Sequence, residues 1–309
     1  MRAALALVAA VSPADPAAGL LSHMTTLHRN LTSEQRMPTL AWVRRREADT
    51  SVLVQVGANS HRKNAADPDP GPLCVKLGWR SVLLEPIPNI FGELRHTYRD
   101  RVASPRLQLV NAAVCAETAQ QPCSQEMSQE LWFVDTTNAT GNWGSNHSDA
   151  RCLRNSGLYG WVAEIASHSK RHLLGEARNL QLSRSSVRRC ASCTQELGRP
   201  LPPDCVRNMI HDNIRRVDVR CFCMKDELRL RKAEPAVTLL VVDAEGYDYT
   251  VLQQYPWERL PPWRVVFEAT HLGRSSFDQA ATLLQSHGYR HVAGGVGAYT
   301  SEWHHLDAP

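Results

Sequence analysis

The chain has 309 residues, of which 43% are hydrophobic and 21% charged, which is ordinary for a globular protein and excludes a disordered one. This length allows one large domain or two small ones with a full hydrophobic core. Thirty-five Lys and Arg against 31 Asp and Glu give a net charge of only +4, without the concentrated basic face that nucleic-acid binding needs. We therefore expect no nucleic-acid partner.

The first residues have the order of a cleaved secretory signal. Arg2 is followed by a short apolar run, Ala3–Val11, and then by small residues and prolines up to Gly19. The run is too short to span a bilayer, so we expect no transmembrane span. We predict a signal-like leader over residues 1–20; a disordered Ala/Pro-rich leader is the alternative.

The cysteine content and the glycosylation sequons favour the same compartment. Nine cysteines are many for a cytosolic protein of this size, whereas oxidising compartments tolerate them as disulfides. Acceptor sequons begin at Asn30, Asn138 and Asn146, which predicts a glycoprotein. We predict a location in the lumen of the secretory pathway or outside the cell, with the cytoplasm as the alternative.

The predicted elements begin with an N-terminal helical segment over residues 21–50, which contains a helix from about Thr25 to Glu47. From residue 51 the pattern changes to short apolar runs that alternate with helical stretches. Such near-continuous apolar strands predict a parallel sheet covered by helices on both faces. The predicted strands of this half are Ser51–Val56, Ser81–Leu84, Leu107–Val114 and Leu131–Val134, and an amphipathic helix covers Asn89–Tyr98.

The alternation stops between about residues 135 and 214, a stretch rich in Arg and Cys with one helix predicted around Trp161–Ala177. A loop of this length without structure is unusual inside a compact domain, so we predict an insertion held by cross-links. Its segment Lys170–Arg189 carries six basic residues and one acid. A solvent-exposed surface would explain this run. If the run instead lies over a ligand-binding crevice of the sheet, its positive charge would favour an anionic substrate.

The alternation returns after the insertion. The predicted strands are Val217–Cys223, Val237–Val242, Arg264–Glu268, Tyr289–Val292 and Ala298–Trp303, with helices over Tyr247–Gln254 and Phe277–His287. Residues 51–309 are therefore predicted to form one α/β domain that contains the insertion.

The cysteine spacing leaves two kinds of cross-link open. Cys190 and Cys193, together with Cys221 and Cys223, could form a four-thiolate zinc site. The second pair is more closely spaced than is usual for zinc, and the leader indicates an oxidising compartment. We therefore expect disulfides and no metal. Because the number of cysteines is odd, at least one is unpaired, and Cys74 in a predicted helix is the candidate.

Three strand ends carry residues suited to binding a cofactor. Gly57 ends the first strand, where a glycine lets the backbone approach a ligand closely, although a merely tight connection would also use one. Glu85 ends the second strand, where a carboxylate can accept both ribose hydroxyls of an adenosine cofactor, unless it is a surface residue. Asp243 ends a buried strand, and we expect one of the next two acids, Glu245 or Asp248, to cap the following helix.

In this order the motifs resemble those of the FkbM-type S-adenosylmethionine-dependent methyltransferases. The matching segments are Gln55–Asn59, Leu84–Pro86, Asn111–Val114, Asp243–Gly246 with Asp248, and Phe267–Glu268 followed by His271. The resemblance covers about residues 51–134 and 217–303. It implies a Rossmann-like, seven-stranded methyltransferase sheet that is mostly parallel, with the last strand inserted antiparallel.

The resemblance also implies which residues bind S-adenosyl-L-methionine. They are Gln55, Gly57, Ala58, Asn59, Glu85, Asn111 and Asp243. Glu85 would hold the ribose, and Asp243 would lie near the sulfonium and the acceptor. The family usually has an acidic residue at the position of Gln55, so this chain brings no negative charge to the methionine end from that position.

The expected reaction is methyl transfer to a hydroxyl oxygen on a glycan, a lipid or a small molecule. Most of the rate would come from holding that oxygen opposite the departing sulfur, and a base would take the hydroxyl proton. Asp243, Glu245 and His271 are the candidate catalytic residues, and His271 titrates in the useful range. A structural histidine in a loop is the alternative interpretation of His271.

Two other functions stay open at this point. A non-catalytic Rossmann-like binding protein that has lost its cofactor is favoured by Gln55 alone. A nicotinamide-dependent oxidoreductase is disfavoured, because the full Gly-x-Gly-x-x-Gly turn is absent.

Overall fold

The computed structural model describes residues 38–61, 69–117, 122–124, 126–135, 166–171, 173–175, 195, 210–211, 213–228, 236–295 and 299–308. Its strands are β1 Val52–Val56, β2 Arg80–Leu84, β3 Leu107–Val110, β4 Ala113–Val114, β5 Ser128–Val134, β6 Ala166–Ser167, β7 Ile214–Phe222, β8 Leu239–Val242, β9 Arg264–Glu268, β10 Tyr289–Ala293 and β11 Thr300–His305. Its helices are α1 Pro38–Val43, α2 Gly71–Leu77, α3 Pro88–Thr97, α4 Met224–Glu227, α5 Asp248–Gln254 and α6 Arg274–Ser286, with a short 3-10 helix over Ala48–Thr50.

The central sheet has seven strands in the order β10-β11-β9-β8-β1-β2-β3. The pairs from β3 to β9 are parallel, and β11 is antiparallel to both β9 and β10. The predicted methyltransferase sheet, with its last strand inserted antiparallel, is confirmed. Because β2 and β8 lie on opposite sides of β1, the chain reverses its direction of winding there, and such switch points are where α/β sheets bind ligands.

Both faces of this sheet are buried, as the apolar strands predict. Every residue of β1 and of β8 is buried. On one face, Val54 packs in a cluster with Val251 of α5 and Leu284 of α6. On the other face, Leu53 packs in a cluster that includes Val75 of α2. The helices therefore lock β1 in place from both sides, which fixes the position of the turn that follows it.

A second sheet, in the order β4-β7-β5-β6, corrects the prediction for Leu131–Val134. These residues belong to β5, which pairs antiparallel with β7 and does not continue the parallel sheet. Exposed and buried positions intermix along both strands, as in an antiparallel sheet with one solvated face. The predicted strand Leu107–Val114 is likewise divided: its first part is β3, and its second part, β4, pairs with β7.

The described part of the insertion also differs from the prediction. Within the helix predicted over Trp161–Ala177, Ala166–Ser167 form the strand β6 against β5, and helix is found only at 170–171 and 173–175. The leader, the three sequons and most of the insertion lie outside the described residues. In the described ranges, no helix is long and apolar enough to cross a membrane.

Two disulfides close the base of the insertion. Cys115 is bonded to Cys221 and Cys123 to Cys223, across sequence separations of 106 and 100 residues. The four-thiolate zinc alternative is therefore wrong for the pair after the insertion, because both of its sulfurs are bonded elsewhere. Among the described residues Cys74 is a free cysteine, buried in α2, as predicted.

The N-terminal segment is anchored to the strands β9 and β11 of the central sheet. Of the helix predicted over Thr25–Glu47, the described part is helical over Pro38–Val43 only. The backbone N–H and the hydroxyl of Thr39 donate to the buried carboxylate of Glu302 at 3.2 and 2.6 Å. Arg264 donates to the same carboxylate at 3.1 Å, so α1 is held by charge-assisted hydrogen bonds.

We predict that removing the Cys115–Cys221 bridge lowers stability without changing the fold. In the double variant Cys115→Ser/Cys221→Ser, the Cys123–Cys223 bridge still closes the long loop, so the unfolded chain gains only the freedom of the short loop between the two bridges. The free energy of unfolding therefore falls by about 2–3 kcal/mol in chemical denaturation. Alkylation without reductant, followed by mass spectrometry, provides the control. In the native wild-type protein the bridged peptides stay linked, and reactive thiols at Cys115 and Cys221 would contradict the assignment.

Candidate functional site

The turn after β1 is held by both neighbouring strands. The N–H groups of Gly57 and Ala58 donate to the carbonyl of Leu84 in β2, at 3.0 and 2.9 Å, and the N–H of Asp243 donates to Val56 at 3.0 Å. Gly57 has a φ of +74°, and a Cβ there would lie 1.7 Å from the carbonyl oxygen of Asp243. The close approach that requires this glycine is therefore to the backbone at the end of β8.

Glu85 follows β2 and lies in the wall beside this turn. Its two carboxylate oxygens accept the backbone N–H groups of Asn59 and Ile87, both at 2.9 Å, and the residue is only 5% exposed. The side-chain amide of Asn111 donates to the carbonyls of Glu85 and Pro86, at 2.8 and 3.0 Å. Asn111 thus positions the Glu85 segment from behind.

A pocket of about 650 Å³, open mouth included, lies at the carboxyl ends of β1, β2 and β8. Five of the predicted site residues line it: Gly57, Asn59, Glu85, Asp243 and Glu245. The other four, Gln55, Ala58, Asn111 and His271, are not among its lining residues. The structure therefore brings the ends of three strands together around the pocket. The four predicted residues that do not line the pocket lie behind its wall.

The opposite wall of the pocket comes from the second sheet, and the sequence does not predict it. Ala166, Ser167 and His168 line the pocket there. The His168 ring stacks on Tyr247, with centroids 3.7 Å apart, and burial lowers the pKa of His168 to about 4. This histidine is therefore a neutral, aromatic part of the wall at neutral pH. A two-residue strand leaves no periodic signal, so these residues could not have been found from pattern.

Gln55 points away from the pocket into a buried polar network. Its amide donates to Asp69 at 3.0 Å, and its oxygen lies 3.1 Å from Nε2 of His61. Nδ1 of His61 in turn lies 2.6 Å from the hydroxyl of Tyr98. The position where the family usually has an acid is therefore next to a carboxylate, that of Asp69, supplied from the segment before α2.

Carboxylates concentrate on the other side of the pocket, where β8 and β9 end. Nε2 of His271 lies 3.3 Å from Glu245 and 3.5 Å from Glu268. Burial raises the pKa of Glu268 well above its usual range, and the nearby charges of Asp243, Glu245 and Asp248 raise it further. Sequence reasoning used Glu268 only as part of a family motif and did not place it in the site.

Asp248 does not cap the helix that follows, as the sequence predicts for one of the two acids after Asp243, because the helix has no side-chain cap hydrogen bond; Asp248 holds the preceding turn instead. It is fully buried, and its oxygens accept the N–H groups of Ala244 and Gly246 at 3.2 and 3.1 Å. Burial, and then the charge of Asp243, raises the pKa of Asp248 to about 8 despite these bonds. Asp248 thus holds the turn before α5, whereas Glu245 faces the pocket.

Comparison with known proteins identifies the family of this chain. The family model described as the methyltransferase FkbM domain matches residues 55–291. The chain belongs to the FkbM methyltransferase family. A solved structure described as the METTL16 MTase domain is similar with a TM-score of 0.36 and 8% identity, over 90% of this chain and 70% of that chain. No curated protein matches the sequence.

For this FkbM methyltransferase we predict that Gly57→Ala destabilises the folded state by about 2–4 kcal/mol. The added Cβ meets the Asp243 carbonyl, and the left-handed backbone adds strain. Gly92→Ala is the matched control, since Gly92 lies exposed in α3 with nothing near its Cβ position, and alanine there should be neutral or slightly stabilising. Equal unfolding free energies for the two variants, by chemical denaturation, would contradict the packing at Gly57.

Proposed function

We propose that this FkbM methyltransferase transfers a methyl group from S-adenosylmethionine to a hydroxyl oxygen of its acceptor. The observation that carries the proposal is the pocket bounded by the Gly57 turn, Glu85 and Asp243. These residues end β1, β2 and β8, and they meet where a Rossmann-like sheet binds its cofactor.

The residues of the pocket fit an adenosine cofactor. Two backbone N–H groups hold the Glu85 carboxylate, and carboxylate oxygens have further lone pairs that can accept ribose hydroxyls. The N–H groups of Gly57 and Ala58 are directed to Leu84, so this turn would offer the cofactor a flat surface without a side chain. When bound, S-adenosylmethionine supplies the methyl group.

The charge of the pocket suits a positively charged sulfonium. Asp243 and Glu245 both line the pocket and bring negative charge to its edge. This charge does not depend on Gln55, which is not among the lining residues. The non-catalytic alternative rested on Gln55, and the family match favours neither that alternative nor an oxidoreductase.

An oxygen acceptor is supported by the groups available to take its proton. The carboxylates of Asp243 and Glu245 lie in the pocket wall, and His271 lies behind Glu245 at 3.3 Å. We assign the role of general base, which takes the hydroxyl proton, to Asp243, because this residue extends directly from the end of β8. Glu245 and His271 are the next candidates, and His271 would act through Glu245.

We further propose that the protein works in the lumen of the secretory pathway or outside the cell. The two disulfides at the base of the insertion support an oxidising compartment. The proposed layout is a leader over residues 1–20, a helical segment over 21–50 and a methyltransferase domain over 51–309. Its acceptor there would be a hydroxyl of a glycan, a lipid or a small molecule.

The cofactor assignment predicts that S-adenosylhomocysteine binds the chain and raises its melting temperature. Glu85→Ala should weaken binding by about 1.5–3 kcal/mol in isothermal titration calorimetry, because charged hydrogen bonds to the ligand are lost. Glu258→Ala, at a carboxylate that is 89% exposed, should leave the affinity unchanged. Absence of both heat and thermal shift at millimolar ligand would refute S-adenosylmethionine dependence.

The catalytic assignment predicts that Asp243→Asn lowers kcat by about 10²–10⁴ while the melting temperature and the affinity for S-adenosylhomocysteine are retained. Asparagine keeps the shape of the side chain and loses its basicity. Turnover would be followed as labelled methyl incorporation into a panel of glycan, lipid and small-molecule hydroxyls. Wild-type turnover in the variant would move the base to Glu245 or His271, and a collapsed melting temperature would make Asp243 structural.

A further inference from the structure

We propose that Glu245, Glu268 and His271 form a binding site for one divalent transition-metal ion at the edge of the pocket. The three residues come from the turn after β8, the end of β9 and the loop before α6. Each offers one ligand atom, and the three atoms lie within 4.8 Å of one another. Ligand atoms bound to one ion at about 2.0–2.2 Å lie roughly 3–4 Å apart, so small side-chain adjustments complete the site.

A second observation points to a ligand at this place. The side chain of Glu268 is only 6% exposed, and its carboxyl group interacts with that of Asp243. Among the described residues, no N–H or O–H donor reaches its buried Oε2. Burying a carboxylate oxygen that has no donor is costly, and the neighbouring carboxylate of Glu245 adds to the cost. A divalent cation bound between these groups would offset the charge and give the buried oxygens a partner.

The donor set indicates the class of ion. One imidazole nitrogen and two carboxylate oxygens suit first-row divalent ions such as Mn²⁺ or Zn²⁺, whereas sites for Mg²⁺ and Ca²⁺ use oxygen ligands. Three protein ligands leave coordination positions open for water or for an oxygen of a substrate. The cysteine-based zinc site considered in the sequence is unrelated to this one, and the proposal departs from the expectation that the protein binds no metal.

The position of the site suggests what the ion does, and this part rests on the proposed function. Of the three ligands Glu245 lines the pocket, as Asp243 does, so the ion would lie at the edge of the pocket, beside the expected acceptor hydroxyl. A Lewis acid there lowers the pKa of the hydroxyl. The acceptor oxygen then bonds to the methyl carbon, the carbon–sulfur bond breaks with its electron pair leaving on sulfur, and the hydroxyl proton passes to Asp243.

Metal binding is tested on the purified full chain, stripped with chelator and titrated with Mn²⁺ in the absence of S-adenosylmethionine and S-adenosylhomocysteine. We expect one Mn²⁺ per chain by electron paramagnetic resonance, and a rise in melting temperature. Glu268→Gln should weaken binding by about 10–100-fold. The variant should still fold, since glutamine has nearly the size and shape of a protonated glutamate. His271→Gln should weaken binding in the same way.

Glu258→Gln is the matched control, because Glu258 also lies near a histidine, 3.7 Å from His287, but is 89% exposed. It should bind Mn²⁺ as tightly as the wild type does. If Glu268 simply holds a proton, Mn²⁺ will not bind stoichiometrically, and this result would overturn the proposal. An affinity for Mn²⁺ in Glu268→Gln equal to that of the wild type would overturn it as well. Because neither S-adenosylmethionine nor S-adenosylhomocysteine is present in the titration, failure of S-adenosylhomocysteine to bind would refute the proposed function and leave this result unaffected.

Discussion

At Gly57 the end of β1 touches the backbone of Asp243, with no space for a side chain between them. The same turn is hydrogen-bonded to Leu84 on its other side, so the ends of β2 and β8 are fixed relative to each other through one glycine. Glu85 and Asp243 therefore line the same pocket, and backbone contacts set the spacing of the strand ends that carry them. Side-chain packing on both faces of β1 then makes this arrangement rigid.

The charge distribution follows from that frame. Carboxylates at the ends of β8 and β9 are brought together because parallel strands end at the same edge of the sheet, and burial there is costly for anions. Asp248 is compensated by backbone N–H groups of its own turn. Glu245, Glu268 and His271 have a different arrangement, converging on one point next to the pocket. An acidic edge of this kind matches a positively charged sulfonium, a metal ion, or both.

The central sheet could be predicted from sequence because its buried strands are continuous apolar runs between turns, and Arg264–Glu268 was placed with its observed bounds. Leu131–Val134 was misplaced, since a short apolar run does not reveal whether its partner is parallel or antiparallel. The disulfide partners of Cys221 and Cys223 are about a hundred residues away, and spacing carries no information over such distances. The sequence does not place Glu268 in the site for a related reason. Its raised pKa comes from burial, which only the tertiary structure shows.

The central claim is that the ends of β1, β2 and β8 form the cofactor site. A crystal structure of the full chain grown with S-adenosylhomocysteine tests it most directly. The account predicts that the ribose hydroxyls contact the Glu85 carboxylate, that the ligand crosses the Gly57 turn, and that the sulfur faces Asp243. A ligand bound elsewhere, or a pocket that holds the ligand with its ribose away from Glu85, would contradict the account.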